Sequence, residues 1–403
     1  MPSADRIAPI RGADHAAVLD AALEARAGGR VPLVGDERWT QGHWDAVVRT
    51  VRSHGVPPEA DWATFTSGSA GTPRVVLRTE ASWRTAYPAV TALLDARAGD
   101  RILVPVHPVS SMALNAAAHA RATGLDVRVP AGARLRATDL AGPDGPELMH
   151  GTPWQLRDLV DLLEAGTRTT LRGVLVGGDR LDPALAARAR AHGLRVASYF
   201  GAAELSYVAA DTGDGLRPLD GVDVQVRDGV LWVRTPQRAL GTVGAGGHLT
   251  AGALQDDDGW VTVGDRARLE DGVLVPAGRA DEAILTAGAT VVPADVEAVL
   301  TKIEGVQAAL VVGRPDALLG QRVAAYLEPA PGTVLDAAAV RRIRSAAGEW
   351  LAVAQRPRHW RTVPELPRTG SGKVRRLDAG QAEALAGETL VVRPDASPVG
   401  GRA

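Results

Sequence analysis

The feature that most constrains this chain is Thr66-Ser67-Gly68-Ser69-Ala70-Gly71-Thr72-Pro73-Arg74, which follows the β-forming tetrapeptide Trp62-Ala63-Thr64-Phe65. The glycines let the backbone reach positive φ and approach a ligand closely. Successive N–H groups in such a turn form an anion-binding nest. The hydroxyls of Thr66, Ser67, Ser69 and Thr72 add donors, and Arg74 adds a planar cationic fork suited to phosphate. The chemistry reads as a loop that grips a polyphosphate. It is not the Walker pattern, because no Gly-Lys-Ser/Thr closes it. Taken alone, the same residues also describe a solvated Gly/Ser turn.

At 403 residues the chain is too long for one compact core, which implies two or three packed units. The net charge of −2 supplies no basic field for nucleic acid or anionic lipid. No apolar run reaches membrane-spanning length, and Met1-Pro2-Ser3-Ala4-Asp5-Arg6 lacks the apolar core of a signal peptide. The chain has no cysteine, which removes disulfides, thiolate metal sites and a cysteine nucleophile together. Any thioester made here takes its sulfur from a partner. These features fit a cytoplasmic protein.

Helical periodicity marks residues 13–27, 41–54 and 80–96, the last through Trp83, Tyr87, Val90 and Leu94. Strands and helices then alternate: strand 102–106, a helix, strand 125–129, helix 153–165, strand 171–176, helix 183–192, strand 194–198. That alternation predicts a layered α/β domain. From 211 to 275, short strands between Gly/Asp turns predict a small β subdomain. Strands 306–312 and 322–328 and a helix 336–352 predict an α+β lobe, and 385–403 a frayed tail.

Several residues have site chemistry, each with an ordinary alternative. His107 ends a strand, where open α/β sheets place ligands, or it is a structural histidine. Tyr199-Phe200-Gly201-Ala202-Ala203-Glu204 offers a ring for a base and a carboxylate for Mg2+, or simply a turn with a capping acid. Asp265 and Arg279 suit ribose hydroxyls, or each other. Lys373, in Pro367-Arg368-Thr369-Gly370-Ser371-Gly372-Lys373, is a cation on a Gly-rich arm or part of a solvated basic loop.

In this order and spacing, the 66–74 loop, the 199–204 segment, Val263-Gly264-Asp265, the 278–297 segment and the 367–373 loop resemble the adenylate-forming superfamily. That superfamily comprises acyl-CoA synthetases, carrier-protein adenylation domains and luciferases. The resemblance implies its fold: a large layered α/β N-terminal domain with a small β subdomain, here 1–279, and a small α+β C-terminal lobe on a hinge, here 280–403. It also implies the chemistry. A carboxylate attacks the α-phosphorus of ATP, giving an acyl-adenylate and pyrophosphate; CoA, or phosphopantetheine on a carrier protein, then displaces AMP. By position, Thr66, Ser67, Gly68, Ser69, Gly71, Thr72 and Arg74 grip the β- and γ-phosphates. Gly178, Phe200, Gly201, Ala202 and Ala203 line the nucleotide, Glu204 ligates Mg2+, and Asp265 and Arg279 hold the ribose. Asp281 is the hinge, His107 and Gly288 border the acyl and thiol pocket, and Lys373 reaches the α-phosphate and the acyl carboxylate.

The chain departs from the family pattern at Ala70, Arg74, Val75, Phe200, Ala203 and Leu285. Arg74 and Phe200 keep charge and stacking. Ala70 and Ala203 each remove a phosphate-side hydroxyl, worth about 1 kcal/mol if hydrogen-bonded to the nucleotide. With Lys373 and Glu204 retained, the expectation is a working enzyme, slowed rather than dead. The early phosphate loop implies an N-terminally shortened member, similar to short actinobacterial o-succinylbenzoate–CoA ligases. No Asp lies between Arg101 and Leu125 to pair an α-ammonium, which argues against an amino acid substrate. Three readings follow: an acid–CoA ligase for o-succinylbenzoate or another aryl or alkyl acid, an adenylating enzyme that loads a carrier protein or forms an amide, and a nucleotide-binding module without catalysis.

Overall fold

The computed structural model describes residues 6–65, 74–130, 132, 134–243, 249–250, 254–279, 283–286, 289–316, 318–370 and 372–386. The chain divides into two compact units. One comprises Met1–Val263, Ala267–Val275 and Thr369–Lys373; the other comprises Gly264–Arg266, Pro276–Arg368 and Val374–Ala403.

The first unit is built on two main sheets. One runs Ile7–Ile10, Val31–Val34, Trp62–Phe65, Val75–Arg78, Gly241–Val243, Leu249–Thr250 in spatial order. Trp62–Phe65 and Val75–Arg78 pair antiparallel, so the loop between them joins neighbouring strands. The other sheet has a parallel core, Asp126–Arg128, Arg101–Leu103, Leu148–Gly151, Gly173–Val176 and Arg195–Ala202. This is the layered α/β architecture that strand–helix alternation predicted. An isolated bridge from Phe65 to Ser110 brings the end of the strand Trp62–Phe65 beside the turn that follows His107.

Local sequence accounts for most elements. Trp44, Val48 and Val51 bury one stripe of the helix Gln41–His54, while the Thr40 hydroxyl accepts the His43 N–H. The single helix predicted over 80–96 is corrected to two, Glu80–Arg84 and Tyr87–Leu94. Pro88 has no N–H to continue the first helix, so it starts a new one within its first turn. The expected core residues Trp83, Tyr87, Val90 and Leu94 are buried all the same. The strand expected over 194–198 continues as Arg195–Ala202 and folds back onto Ser206–Asp211, which sequence reading missed. Tyr199, Phe200, Gly201 and Ala202 are therefore strand residues, and only 203–205 form the turn.

The second unit has a sheet ordered Ala289–Val291, Ile284–Thr286, Gly320–Pro329, Val306–Asp316, with His359–Thr362 parallel to Gly320–Pro329. The helix Ala337–Trp350, capped by Asp336, covers it with Val340, Ile343 and Ala347. A last helix, Ala379–Ala386, is pinned by Glu383, and the tail expected from 385 lies beyond the described residues after 386. Glu383 accepts hydrogen bonds from Arg361, from the Tyr326 hydroxyl at 2.8 Å and from Arg314 at 2.7 Å. Burial alone raises its pKa, but these bonds and charges outweigh burial and bring it down to about 2. A carboxyl lowered from its usual 4.5 stabilises the fold above that value and loses the contribution as pH falls toward 2. Glu383→Gln is expected to lower the melting temperature of this unit at pH 7 by about 2–4 °C. Its melting temperature should also fall less steeply than wild type between pH 5 and 2.5. Equal slopes in thermal melts would show that Glu383 is not the anchor.

Candidate functional site

Of the phosphate loop, Thr66, Ser67, Gly68, Ser69, Gly71 and Thr72 lie outside the described residues; Arg74 stands at the head of Val75–Arg78, half-buried. That strand ends in a charge the sequence reading passed over. Arg78 is fully buried, and its guanidinium donates to the Ala203 carbonyl at 2.9 Å and to the Gln237 carbonyl at 3.2 Å. Its cationic carbon lies 5.4 Å from the Trp83 ring centre. Burial lowers its pKa to about 10, and the neighbouring charge of Glu204 opposes that fall. The guanidinium is thus still protonated at neutral pH. Arg78 ties the strand Val75–Arg78 to the turn that carries Ala203 and Glu204.

That turn is held from a second side, because the Ala239 N–H donates to the Glu204 carbonyl at 2.7 Å. Gly201 is required where it stands: a Cβ would lie 2.0 Å from the Ser206 carbonyl oxygen across the hairpin. Phe200 and Ala202 pack partly buried against a cluster that includes Leu205, Val208, Val222 and Leu231. Gly178 has φ +82°, just past the strand Gly173–Val176, with its Cβ position 3.2 Å from the Met112 methyl. Glu204 offers hard carboxylate oxygen, the donor type Mg2+ takes, on a turn fixed at the Ala203 and Glu204 carbonyls; the residues fit that ion.

Lys373 closes a tight loop that belongs by its contacts to the first unit. The Thr369 N–H donates to the Lys373 carbonyl at 2.8 Å, and the Gly372 N–H to the Thr369 carbonyl at 2.9 Å. The His107 N–H donates to the Gly370 carbonyl at 3.1 Å. A Cβ on Gly370 would come within 2.4 Å of Val109, and one on Gly372, at φ +82°, within 2.6 Å of the Trp154 ring. Both glycines are there because the backbone lies directly on these side chains. Asp265 and Arg279 fall at the open end of one hairpin, Asp265–Glu270 with Val273–Arg279, closed by Asp271 and Gly272 at positive φ. Asp281 and Gly288 lie outside the described residues.

The sequence pattern of the AMP-binding enzyme family matches residues 13–247, and that of the AMP-binding enzyme C-terminal domain matches residues 295–373. The chain belongs to the AMP-binding enzyme family. It is 30% identical over 329 residues to the 2-succinylbenzoate–CoA ligase of Salmonella typhimurium, covering 78% of this chain and 67% of that one. It is also 30% identical over 344 residues to a probable 2-succinylbenzoate–CoA ligase of Mycobacterium tuberculosis, covering 80% and 84%. An Escherichia coli MenE variant with bound OSB-AMS superposes with a TM-score of 0.75 over 94% of this chain and 87% of that one, at 22% identity. The adenylate-forming fold and an ATP-dependent, AMP-forming acid–thiol ligase working through an acyl-adenylate, both implied by the motif order, are met. No helix among the described residues is long and apolar enough to cross a membrane.

In this AMP-binding enzyme the His107 ring has a partner set that sequence reading did not find. Its Nε2 lies 2.7 Å from Glu37, and its ring centre 4.4 Å from that of His15. Burial holds its pKa below the usual histidine value, against the opposing charges of Asp36 and Glu37. The ligand atoms of His15, Glu37 and His107 lie within 4.8 Å of one another, a metal-like spacing. The tautomer speaks against a metal. The Val109 N–H donates to His107 Nδ1 at 3.1 Å, so the neutral ring carries its proton on Nε2 and donates it to Glu37. A metal on Nε2 would force that proton onto Nδ1, facing another donor. The cluster fixes the His107 ring, and it is the His107 backbone that meets the Lys373 loop. Partners 70 residues apart, such as Glu37 and His107, leave no local signal in sequence.

Proposed function

We propose that the chain activates an aryl or alkyl carboxylic acid with ATP and transfers the acyl group to CoA, o-succinylbenzoate being one acid of the panel. The observation that carries this is the seat of the Lys373 loop. Gly370 and Gly372 rest on Val109 and Trp154 in the unit that also holds the Glu204 turn. There the Lys373 ammonium neutralises charge as one anion attacks another, a group held in place where that charge develops. Glu204 would hold Mg2+, which supplies further charge neutralisation at the phosphates. Arg74 and the 66–72 residues take the outer phosphates, Gly178 and the 200–203 strand and turn take the base, and Asp265 and Arg279 take the ribose. His107 and Gly288 border the acyl and thiol path. Domains 1–279 and 280–403 pivot at Asp281, so that one site serves both half-reactions. The two 2-succinylbenzoate–CoA ligases support the choice of acid class and acceptor.

Carboxylate-dependent ATP–pyrophosphate exchange over a panel of acids tests the first step. CoA is then compared with a phosphopantetheine-bearing carrier protein as acceptor. Exchange with one acid and transfer to CoA is the expected result. Tight Mg-ATP binding without exchange for any acid would overturn it in favour of a non-catalytic module.

A further inference from the structure

We infer that Asn115, oriented by Tyr207, determines specificity at the far end of the acid pocket, and that it selects an acid bearing an uncharged oxygen there. The inference rests on the proposed adenylation and deepens it.

The place follows from topology. Leu148–Gly151, Gly173–Val176 and Arg195–Ala202 run parallel, and toward or just past their C-terminal ends stand His150, Gly177 with Gly178, and Tyr199. Open α/β sheets seat ligands in the crevice beyond such ends. The helix Ser111–Thr123 runs past this edge, with Met112 against Gly178 and Asn115 one turn further on. Tyr199 lies so close over Gly177 that a Cβ there would meet its ring at 2.2 Å. The Tyr207 ring centre is 4.5 Å from that of Tyr199.

The polar atoms in this layer are not all satisfied. The Tyr207 hydroxyl donates to Asn115 Oδ1 at 2.6 Å, which fixes the amide, yet Nδ2 with its two N–H groups has no partner. Asn115 is only 4% exposed. His150, fully buried, has Nε2 3.2 Å from the Tyr199 hydroxyl and no partner for Nδ1. His119, one helical turn beyond Asn115, is also fully buried with Nδ1 unpartnered. Native chains leave few such groups, and each needs a reason, a ligand atom being the one that fits Asn115 Nδ2 on the amide that Tyr207 holds. The charge of that atom is constrained. Burial lowers the pKa of His150 to about 3 and that of His119 to about 4, so both are neutral. Arg78, the cation bordering Tyr207, already serves the Ala203 and Gln237 carbonyls and faces Glu204. A second carboxylate, such as the one o-succinylbenzoate keeps after activation, would be buried without a counter-charge, and a bare ring or alkyl tail would leave the donors unpaired. A keto, hydroxyl or phenol oxygen satisfies them.

Acyl-adenylate analogues with sulfamate in place of phosphate do not turn over, and calorimetry reads their binding directly. The probes are the 4-hydroxybenzoyl, benzoyl and 4-carboxybenzoyl analogues. Wild type is expected to bind the hydroxyl compound about 10–100-fold tighter than either of the others. Asn115→Leu should erase that preference. Tyr207→Phe, which keeps the ring and removes the orienting hydroxyl, should shrink it, and serves if Asn115→Leu fails to fold. Equal binding of all three by wild type would overturn the inference. So would an equal loss for all three in Asn115→Leu, which would leave Asn115 on an ordered water only. Discrimination among the analogues without exchange activity for any acid would instead sink the proposed function and leave this pocket assignment standing.

Discussion

Lys373→Ala is expected to lower carboxylate-dependent ATP–pyrophosphate exchange by about 10²–10³-fold. The first step brings a carboxylate onto a phosphate, and in the proposed function the Lys373 ammonium is the positive charge held where negative charge develops. Mg-ATP binding should change far less, because charge builds on the reacting oxygens only as the bond forms. Gly372→Ala should give the same defect by another route. It leaves the ammonium intact but sets a Cβ within 2.6 Å of the Trp154 ring, at a φ of +82° that side chains rarely adopt. The pair separates charge from seating. A slow Lys373→Ala beside a fast Gly372→Ala would mean that the packed loop is not the reacting arrangement. Thiol transfer from preformed acyl-adenylate, measured separately, should be spared in Lys373→Ala. Losing both half-reactions equally would count against a role confined to the first.

Arg78→Met is expected to destabilise the chain by about 3 kcal/mol and to weaken Mg-ATP binding. Methionine fills a similar volume but leaves the Ala203 and Gln237 carbonyls without their donor, and leaves Glu204 without its nearby buried cation. The turn that bears Glu204 loses the donor at its Ala203 carbonyl and keeps the Ala239 N–H at its Glu204 carbonyl. Arg78→Lys keeps the charge but not the two-pronged fork, so it should recover part of the nucleotide affinity and little of the stability. Chemical denaturation and calorimetric titration with Mg-ATP measure the two effects. Unchanged nucleotide affinity in a folded Arg78→Met protein would separate this arginine from the site.

Chain-local signals were read well from sequence. The stripe of Trp44, Val48 and Val51 placed the helix Gln41–His54 at its observed bounds, because helix period and capping act over four residues or fewer. The motif order, with the glycines of the Lys373 loop, led to the family, since backbone close approach leaves a glycine visible in the chain. Even local reading failed where two signals competed: Pro88 broke a helix whose apolar stripe ran on across it. What only the tertiary structure decided are pairings between distant residues. Arg78 meets a carbonyl 125 positions away, Tyr207 meets Asn115 across 92, and His107 meets Glu37 across 70. A charged residue ending an apolar strand, or an asparagine within an alanine-rich helix, looks the same in sequence whether it faces water or a buried partner. Burial decides which, because removing a polar group from water makes its partner obligatory. The sequence by itself determined the family, the order of the elements and the chemistry brought to ATP. The packing of strand ends against the helix Ser111–Thr123 decided which buried polar atoms, Asn115 Nδ2 among them, are left without a partner.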